Sequence, residues 1–342
     1  MKDKVRLAFV GIGWWSNMLA QATLSNPKIE IAACFARSEN KRKDFIKNFG
    51  GVEKISYEEI LADESIDAII LTTPNSLHAS QAVSAAKAKK HVYVEKPMAL
   101  SVAECQMMIA AAKDSNVILM VGQNSRRMER YRKAKELIDK GMVGKIVLAE
   151  ANSSGNLGLR LTPEIWRYYR KESPGGPLTT YTVHQTDNLH YLVGPIKKVT
   201  AFTAKLGGPA ETEDVAAATV QFECGALGTI GGTFITPDRN YMQVHGTEGV
   251  ILIDEDGGSV SYQKKGTENM VKYPTEDVDK QRLDSLKEEM NEFATSILEN
   301  KEPETNGEVG LQAVAVIEAI HQSAESGKIV NIEDLFQRRF HK

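Results

Sequence analysis

The sequence predicts an α/β fold in two domains: an N-terminal domain around a parallel sheet, and a C-terminal α+β domain around a large, open, mainly antiparallel sheet. Three observations predict it. The chain has 342 residues, and at roughly 150 residues per domain two hydrophobic cores are expected. Early in the chain, short apolar runs alternate with longer helical patterns, as in βα units. Later apolar runs are instead separated by Gly, Asp and Pro turns.

The predicted strands of the first domain are short and almost continuously apolar, as burial of both faces of a parallel sheet requires. They are residues 5–10, 29–35, 68–71, 91–94 and 117–121. The clearest helical patterns between them are residues 76–87 and 102–113. Ser101 and Glu104 form a capping box that marks where the second of these helices begins.

The pattern changes after Gly122, so we predict a first domain of residues 1–122 and a second of residues 123–342. A charged helix at 127–140 leads into a strand at 145–151. Further predicted elements are strands at 199–205, 215–222, 226–234, 241–245 and 250–254 and helices at about 283–298 and 307–326.

An open antiparallel sheet needs something to cover the apolar residues on its outer face. We expect Val220, Phe222, Leu227 and Ile230 to lie on that face. The sequence therefore predicts a homodimer or homotetramer joined through this sheet.

Charge and cysteine usage exclude several classes of protein. Lys and Arg total 42 against 45 Asp and Glu, so no basic surface for nucleic acid or an anionic membrane is predicted. The three cysteines form neither a disulfide framework nor a CxxC zinc pair, and no cluster of His, Asp and Glu has the spacing of metal ligands. No apolar run reaches the roughly 18 residues of a spanning helix. We expect a cytoplasmic protein without a metal, whose partner is a small polar molecule.

A glycine-rich stretch directly follows the first strand. It reads Gly11-Ile12-Gly13-Trp14-Trp15-Ser16. This is the GxGxxG fingerprint of Rossmann dinucleotide-binding domains, with serine in place of the third glycine. Gly11 permits the tight turn, Gly13 lets a pyrophosphate approach the backbone, and the following helix offers free N–H groups and its positive dipole end. Ser16 is small enough to keep helix and strand close, while Trp14 and Trp15 either flank the cofactor or simply pack.

The end of the second strand distinguishes NAD from NADP. An NAD-specific domain places an acid there, roughly twenty residues after the fingerprint, on the ribose hydroxyls. Ala36 stands at this position. Arg37, Ser38 and Arg42 follow it and can bind a 2′-phosphate through charge-assisted hydrogen bonds. The pattern favours NADP over NAD, with ordinary surface bases at a helix start as the alternative.

Two polar stretches follow the third and fourth predicted strands. They are Thr73-Pro74-Asn75, with His78 shortly after, and Glu95-Lys96-Pro97. Ligands bind at the carboxyl ends of the strands in open α/β sheets. A proline after Lys96 can fix the chain in a bend, through a cis peptide bond or otherwise, that directs the lysine toward a ligand.

With these motifs the sequence resembles the Gfo/Idh/MocA family of oxidoreductases, named after glucose-fructose oxidoreductase, inositol dehydrogenase and a rhizopine catabolism protein. The resemblance covers nearly the whole chain and extends to Gly144-Lys145-Ile146 and Gly246-Thr247-Glu248-Gly249. It implies NAD(P)-dependent hydride transfer to or from a hydroxyl or keto carbon of a sugar, cyclitol or cyclic diol. It also implies that these residues contact the cofactor: Thr73, Pro74, Asn75, His78, Glu95 and Lys96.

The resemblance also implies catalytic residues. A family segment of the form GGxLxDxxxHxxD carries an Asp and a His that point at the substrate, and here it begins at Gly175 and places His184 and Asp187. Thr180 replaces the first Asp, and we expect it on the same helix face as His184, four residues later. The implied roles are that Lys96 holds the substrate oxygen and nicotinamide ribose, while His184 acts as acid or base. Thr180 cannot supply the charge of a carboxylate to this proton relay.

A short aromatic and basic stretch just before Gly175 is expected to line the substrate pocket. Trp166 offers an aromatic face that suits a sugar ring, and Arg167 suits hydroxyls or carboxylates. The alternative is an amphipathic helix that packs its aromatic side chains. Thr180 and Tyr181 are expected to join this pocket.

Two other functions stay open at this point. One is a cofactor-binding regulator that has lost catalysis, which the replacement of an acid by Thr180 favours and the presence of Lys96 and His184 opposes. The other is a non-redox lyase or glycosidase in which tightly held NAD cycles internally. A fold alone does not fix the substrate.

Overall fold

The structure, a computed structural model, describes residues 3–337. The chain forms two compact units. Within the described range the first unit comprises residues 3–99, 104–124 and 283–311, and the second comprises residues 100–103, 125–282 and 312–337. The N-terminal part of the first compact unit extends to residue 124, and the unit also contains residues 283–311. The domain boundary after residue 122 stays a prediction.

The first unit is built on a parallel sheet of six strands in the order β3-β2-β1-β4-β5-β6. The strands are β1 (Val5–Val10), β2 (Ile29–Phe35), β3 (Val52–Glu53), β4 (Ala68–Leu71), β5 (His91–Glu95) and β6 (Leu119–Gly122). The strand order reverses between β1 and β4, which is the switch point at which open α/β sheets bind ligands. The predicted Rossmann sheet is confirmed.

Helices connect these strands, as a parallel sheet requires. They are α1 (Trp14–Thr23), α2 (Glu39–Phe49), α3 (Tyr57–Ala62), α4 (Asn75–Lys87) and α5 (Val102–Ser115). The central strands are almost fully buried because side chains pack on both faces, and Leu7, Phe9 and Ile70 are fully buried. Phe293, in the segment 283–311, belongs to the same core.

The second unit contains a sheet of nine strands in the order β14-β13-β12-β11-β7-β10-β9-β8-β15. Its strands are β7 (Ile146–Ser154), β8 (Ile196–Ala204), β9 (Val215–Phe222), β10 (Leu227–Thr233), β11 (Arg239–Gly246), β12 (Gly249–Asp254), β13 (Ser259–Lys264), β14 (Met270–Tyr273) and β15 (Val330–Asn331). The β7–β10 pair is parallel and the other pairs are antiparallel, so the predicted mainly antiparallel sheet is confirmed.

Side chains alternate across this sheet, and the alternation corrects one expectation. Val220, Phe222 and Ile230 lie on the buried face, each at most 2% exposed, so their predicted outward position is wrong. Leu227 is exposed as predicted, and Phe202 on β8 is 81% exposed. Successive side chains of a strand point to opposite faces of the sheet. Val220 and Phe222 are two positions apart, so both point to the buried face, and the residues that alternate with them in β9 point outward.

The remaining helices are α6 (Glu129–Asp139), α7 (Val183–Leu192), α8 (Val278–Glu299), α9 (Gly307–Ser326) and α10 (Ile332–Phe336). In the second unit α7 packs on β7, and α6 packs on β12 and β13. Over residues 3–337, no helix is long and apolar enough to cross a membrane.

Candidate active site

The glycine-rich turn lies at the carboxyl end of β1. Gly11 has a φ of +88°, and a Cβ on it would lie 2.7 Å from the backbone nitrogen of Thr73. Only glycine fits a position that combines this conformation with so close an approach. Gly13 differs, because a Cβ built on it would meet no atom within 4 Å.

The space in front of Gly13 adjoins the first turn of α1, whose N–H groups have no helical acceptors. No acidic residue occupies that first turn, and Ser16 is fully buried beneath it. An open space beside a helix N-terminus without a competing carboxylate suits an anionic pyrophosphate. The residues present therefore fit a dinucleotide.

The residues after β2 have two different surroundings. Arg37 and Ser38 are exposed, and the Ser38 side chain caps α2 by accepting a hydrogen bond from the Lys41 backbone nitrogen. Arg42 is buried; its Nε donates to Glu53 at 3.0 Å and its Nη1 donates to the Ala36 carbonyl at 2.8 Å. The structure thus gives Arg42 a supporting role beneath the Ala36 turn, and it leaves Arg37 and Ser38 accessible.

The loops after β4 and β5 are joined by His78. Its ring nitrogens each lie 2.9 Å from a backbone carbonyl, one of Pro97 and one of Thr73. His78 is 1% exposed, and burial lowers its pKa. In its neutral form the ring has one N–H to donate, to the carbonyl of Pro97 or of Thr73, and it lies between the two loops. Its predicted influence on a cofactor would be exerted through these loops. Asn75, the first residue of α4, is also buried.

The Lys96–Pro97 peptide bond is cis, which confirms one of the two forms considered for this bend. Glu95, the last residue of β5, is 7% exposed. Its carboxylate accepts hydrogen bonds from the Trp15 indole nitrogen at 2.5 Å and the Lys96 backbone nitrogen at 3.2 Å. Trp14 is 67% exposed and its ring centroid lies 5.4 Å from that of Trp15. Trp15, Glu95 and Lys96 are thus brought together at one edge of the sheet.

Sequence reasoning missed two residues at this edge. The Tyr93 hydroxyl lies 3.0 Å from a carboxylate oxygen of Glu95 and 2.8 Å from one of Glu289. Tyr93 could have been found, because it is two residues before Glu95 in the same strand and so faces the same side. Glu289 could not, because it lies 196 residues away on α8.

In the second unit, two glycines precede the segment that carries His184. Gly175 and Gly176 have φ values of +71° and +49°. A Cβ on Gly175 would lie 2.3 Å from the His321 ring, and one on Gly176 would lie 2.2 Å from the Glu213 carbonyl. Both positions therefore require glycine.

The segment after these glycines is not a regular α-helix. Residues Leu178–Thr182 form a π-helix, and α7 begins at Val183. Hydrogen bonds in a π-helix join residues five apart, but residues four apart still lie close to one another around its axis. Thr180 and His184 are both half-buried, and residues 182 and 183 between them are buried. The regular α-helix expected for residues 178–182 is therefore wrong, while the shared face of Thr180 and His184 stays a prediction.

The last acid of the predicted pattern has a buried partner. Asp187 is 1% exposed and accepts two hydrogen bonds from Arg126, at 2.9 Å from Nε and 2.5 Å from Nη2. His190, one turn later in α7, has its pKa lowered to about 4 by burial and by the charge of Arg126. Asp187 therefore anchors α7 within the second unit.

The residues expected to line the substrate pocket also lie in the second unit. Trp166 and Arg167 are in a short 3-10 helix, Trp166–Tyr168, with the Arg167 guanidinium 4.1 Å from the centre of the Trp166 ring. Burial lowers the pKa of Arg167, and the neighbouring Tyr181 opposes this. Burial also raises the pKa of Tyr181, with Asp238 adding to the effect.

Two family descriptions match the chain. Residues 5–123 match the oxidoreductase family with an NAD-binding Rossmann fold, and residues 131–252 match the GFO/IDH/MocA C-terminal domain. These matches confirm three predictions: the family, an N-terminal domain that binds a nicotinamide dinucleotide, and NAD(P)-dependent oxidoreductase activity.

Alignments with similar proteins cover almost the entire chain. The 2,7-anhydro-N-acetylneuraminate hydratase of Escherichia coli K12 is 27% identical, with 97% of this chain and 98% of the relative aligned. The myo-inositol 2-dehydrogenase of Thermotoga maritima is also 27% identical, with 97% and 99% aligned. A solved structure of a candidate NADPH-dependent oxidoreductase from Desulfitobacterium hafniense DCB-2 is 30% identical, with a TM-score of 0.90 over 98% of this chain and 100% of that one. The chain belongs to the Gfo/Idh/MocA family of oxidoreductases.

Proposed function

We propose that the protein is an NAD(P)-dependent dehydrogenase or reductase acting on a hydroxyl or keto carbon of a sugar, cyclitol or cyclic diol. The observation that carries this proposal is the open space at Gly13, beside the N-terminus of α1 and on the same sheet edge as Lys96. The related myo-inositol 2-dehydrogenase supports a cyclic polyol as substrate.

The glycine-rich turn would hold the dinucleotide. Backbone N–H groups of residues 11–16 would bind the pyrophosphate, with Trp14 and Trp15 beside it. Thr73, Pro74, Asn75 and Glu95 would shape the edge that faces the nicotinamide, supported by His78. When bound, the nicotinamide supplies or accepts the hydride.

Lys96 and His184 are the proposed catalytic residues. A hydroxyl carbon that gives up hydride must also lose the proton on its oxygen. The Lys96 ammonium would bind that oxygen and orient it, and the His184 imidazole would take the proton up or return it. Thr180, which is uncharged, would contribute a hydrogen bond and no countercharge.

Trp166, Arg167 and Tyr181 are the proposed substrate-binding residues of the second unit. Among residues 3–337, the Arg167 guanidinium has no hydrogen bond or ion pair, and it lies over the Trp166 ring. A stacked guanidinium keeps its five N–H donors for a polar ligand. A substrate with several hydroxyls, or with a carboxylate, would satisfy them.

Three further proposals concern cofactor choice, assembly and location. Arg37 and Ser38 are exposed and accessible to a 2′-phosphate, which favours NADP. Phe202 and Leu227, both more than half exposed, lie on the outer face of the nine-stranded sheet, which favours a homodimer or homotetramer through that face. Within residues 3–337, Cys34, Cys105 and Cys224 form no disulfide, which favours a cytoplasmic location.

One specific observation favours a second candidate function. The E. coli relative is a hydratase, so a reaction in which the dinucleotide is reduced and reoxidised within one turnover is the alternative. Such an enzyme would convert its substrate with no net change in the absorbance of reduced nicotinamide. Product analysis beside the absorbance assay separates the two.

The test is a panel of polyols, keto sugars and anhydro sugars assayed with NAD(H) and NADP(H). We expect net reduction or oxidation of the nicotinamide with at least one of them. Lys96→Ala and His184→Ala should each lower kcat by at least about 100-fold, while Lys87→Ala, at an exposed lysine of α4, should leave it unchanged. Full activity in His184→Ala would overturn its assignment, and a regulator without turnover would bind dinucleotide but convert no substrate.

A further inference from the structure

The carboxyl edge of the first sheet contains two buried carboxyl groups joined by one hydroxyl. Glu289 is fully buried and Glu95 is 7% exposed. The Tyr93 hydroxyl, also fully buried, lies within hydrogen-bond distance of both, at 2.8 Å and 3.0 Å. We call Tyr93, Glu95 and Glu289 the carboxyl cluster.

A count of protons shows what this geometry requires. A tyrosine hydroxyl has one proton, so it can donate to one carboxylate only. The second short contact needs a proton from the carboxyl side, because two oxygen acceptors facing each other without a hydrogen repel. One of the two carboxyl groups must therefore carry a proton.

We infer that Glu95 and Glu289 share one proton through Tyr93, so that the carboxyl cluster carries one negative charge and Tyr93 and Glu289 act as positioning residues for Glu95. The cluster then keeps Glu95 in place for its two other donors, the Trp15 indole and the Lys96 backbone nitrogen. This inference rests on the proposed function only because Trp15 and Lys96 are the proposed cofactor- and substrate-binding residues.

The neighbouring strand leaves room for this cluster. Gly122, at the end of β6, pairs with Glu95 in the sheet. A Cβ at this position would lie 2.6 Å from the Tyr93 hydroxyl and 2.8 Å from a Glu95 carboxylate oxygen. Any larger residue would displace the hydrogen-bonded groups, so the position requires glycine for the sake of the cluster.

Burial and the neighbouring groups act in opposite directions on Glu95 and in the same direction on Tyr93. Burial raises the pKa of Glu95, and Lys96, Trp15 and Tyr93 oppose that rise. Burial, with the charges of Glu289 and Glu95, also raises the pKa of Tyr93, so its hydroxyl stays protonated. Two nearby carboxylates resist simultaneous ionisation, and the last proton of such a pair leaves above the ordinary range of a glutamate.

Trp15 provides a direct probe, because its indole donates to Glu95. The chain has three tryptophans, so Trp14→Phe with Trp166→Phe leaves Trp15 as the only one. In this background the fluorescence of Trp15, followed against pH without substrate or cofactor, should show a step above the ordinary range of a glutamate. That step reports loss of the shared proton.

Two isosteric variants should move the step in opposite directions. Glu289→Gln removes the like charge, so the midpoint should fall by at least about one pH unit. Tyr93→Phe removes a donor to the ionised pair, so the midpoint should rise. Glu288→Gln, which alters the exposed neighbour on α8, should leave it in place.

The inference is overturned by an unmoved or raised midpoint in Glu289→Gln, and equally by an unmoved or lowered midpoint in Tyr93→Phe. Each variant decides by itself if the other does not fold. Because the readout needs no turnover, its failure is distinct from a failure of the hydride-transfer assay.

Discussion

In the first unit, backbone turns hold the predicted cofactor-binding loops and the carboxyl cluster holds Glu95, whereas in the second unit a buried ion pair holds the helix that carries His184. At the parallel sheet edge, Gly11 closes a turn against Thr73, and the His78 ring lies 2.9 Å from a backbone carbonyl of each of two loops. In the second unit, the helical segment with His184 is anchored by the ion pair of Arg126 and Asp187. The turns need glycine at single positions, which the sequence shows directly, while the carboxyl cluster and the buried ion pair depend on partners far apart in the chain.

Asp187→Asn should give the largest effect, because it leaves the Arg126 guanidinium buried without its countercharge. Removing one partner of a buried ion pair costs about 3–5 kcal/mol. We expect that loss in the free energy of unfolding, measured by urea denaturation. The double variant Arg126→Met, Asp187→Leu should lose less, since no charge remains buried; equal losses in both would show that the ion pair does not anchor α7.

Acid should destabilise the second unit through His190. Its pKa in the folded protein is about 4, against an ordinary value of 6.5. The unfolded chain therefore binds the extra proton first, and stability is lost as the pH falls from about 6.5 toward 4. This histidine contributes about 3 kcal/mol over that window. His190→Asn should show a shallower fall of unfolding free energy across this range, and parallel curves for the two proteins would contradict it.

The two glycines of the first unit should separate folding from binding. Gly11→Ala forces a side chain into a φ of +88° against Thr73, which costs about 1–3 kcal/mol of stability. Gly13→Ala meets no atom within 4 Å, so its unfolding free energy should hardly change. Its Cβ would instead occupy the space proposed for the pyrophosphate, and dinucleotide affinity should fall. Unchanged affinity in Gly13→Ala would reject that space as the binding site.

The same contrast explains how far the sequence predicts this molecule. Strands of the first sheet are visible as short apolar runs, and residues 5–10, 29–35 and 68–71 coincide with β1, β2 and β4. The two-residue strand β3, Val52–Glu53, has no apolar run because both residues are exposed. Local patterns carry this information because each parallel strand is buried on both faces.

Long-range partners account for what the sequence does not predict. Asp187 is visible as part of a motif, but its pairing with Arg126 joins residues 61 positions apart. The π-helix at Leu178–Thr182 follows a glycine pair whose space is limited by His321 and Glu213, which are distant in the sequence. Nothing in the local pattern of residues 178–182 encodes these constraints.

Arg37→Ala should give the smallest loss of free energy. It separates cofactor binding from stability within one short segment of the chain. Arg37 is exposed, so its loss should leave stability unchanged, yet it removes a charge proposed to bind the 2′-phosphate. We expect NADP(H) affinity to fall about tenfold, equivalent to 1.4 kcal/mol, with NAD(H) affinity unchanged.

Arg42→Ala is the matched variant, because the Arg42 guanidinium donates hydrogen bonds to Glu53 and to the Ala36 carbonyl beneath the same turn. It should lower the unfolding free energy and weaken both cofactors together. Equal loss of NAD(H) and NADP(H) in Arg37→Ala, or NAD(H) binding more than about tenfold tighter than NADP(H) in the unaltered protein, would reject the 2′-phosphate proposal.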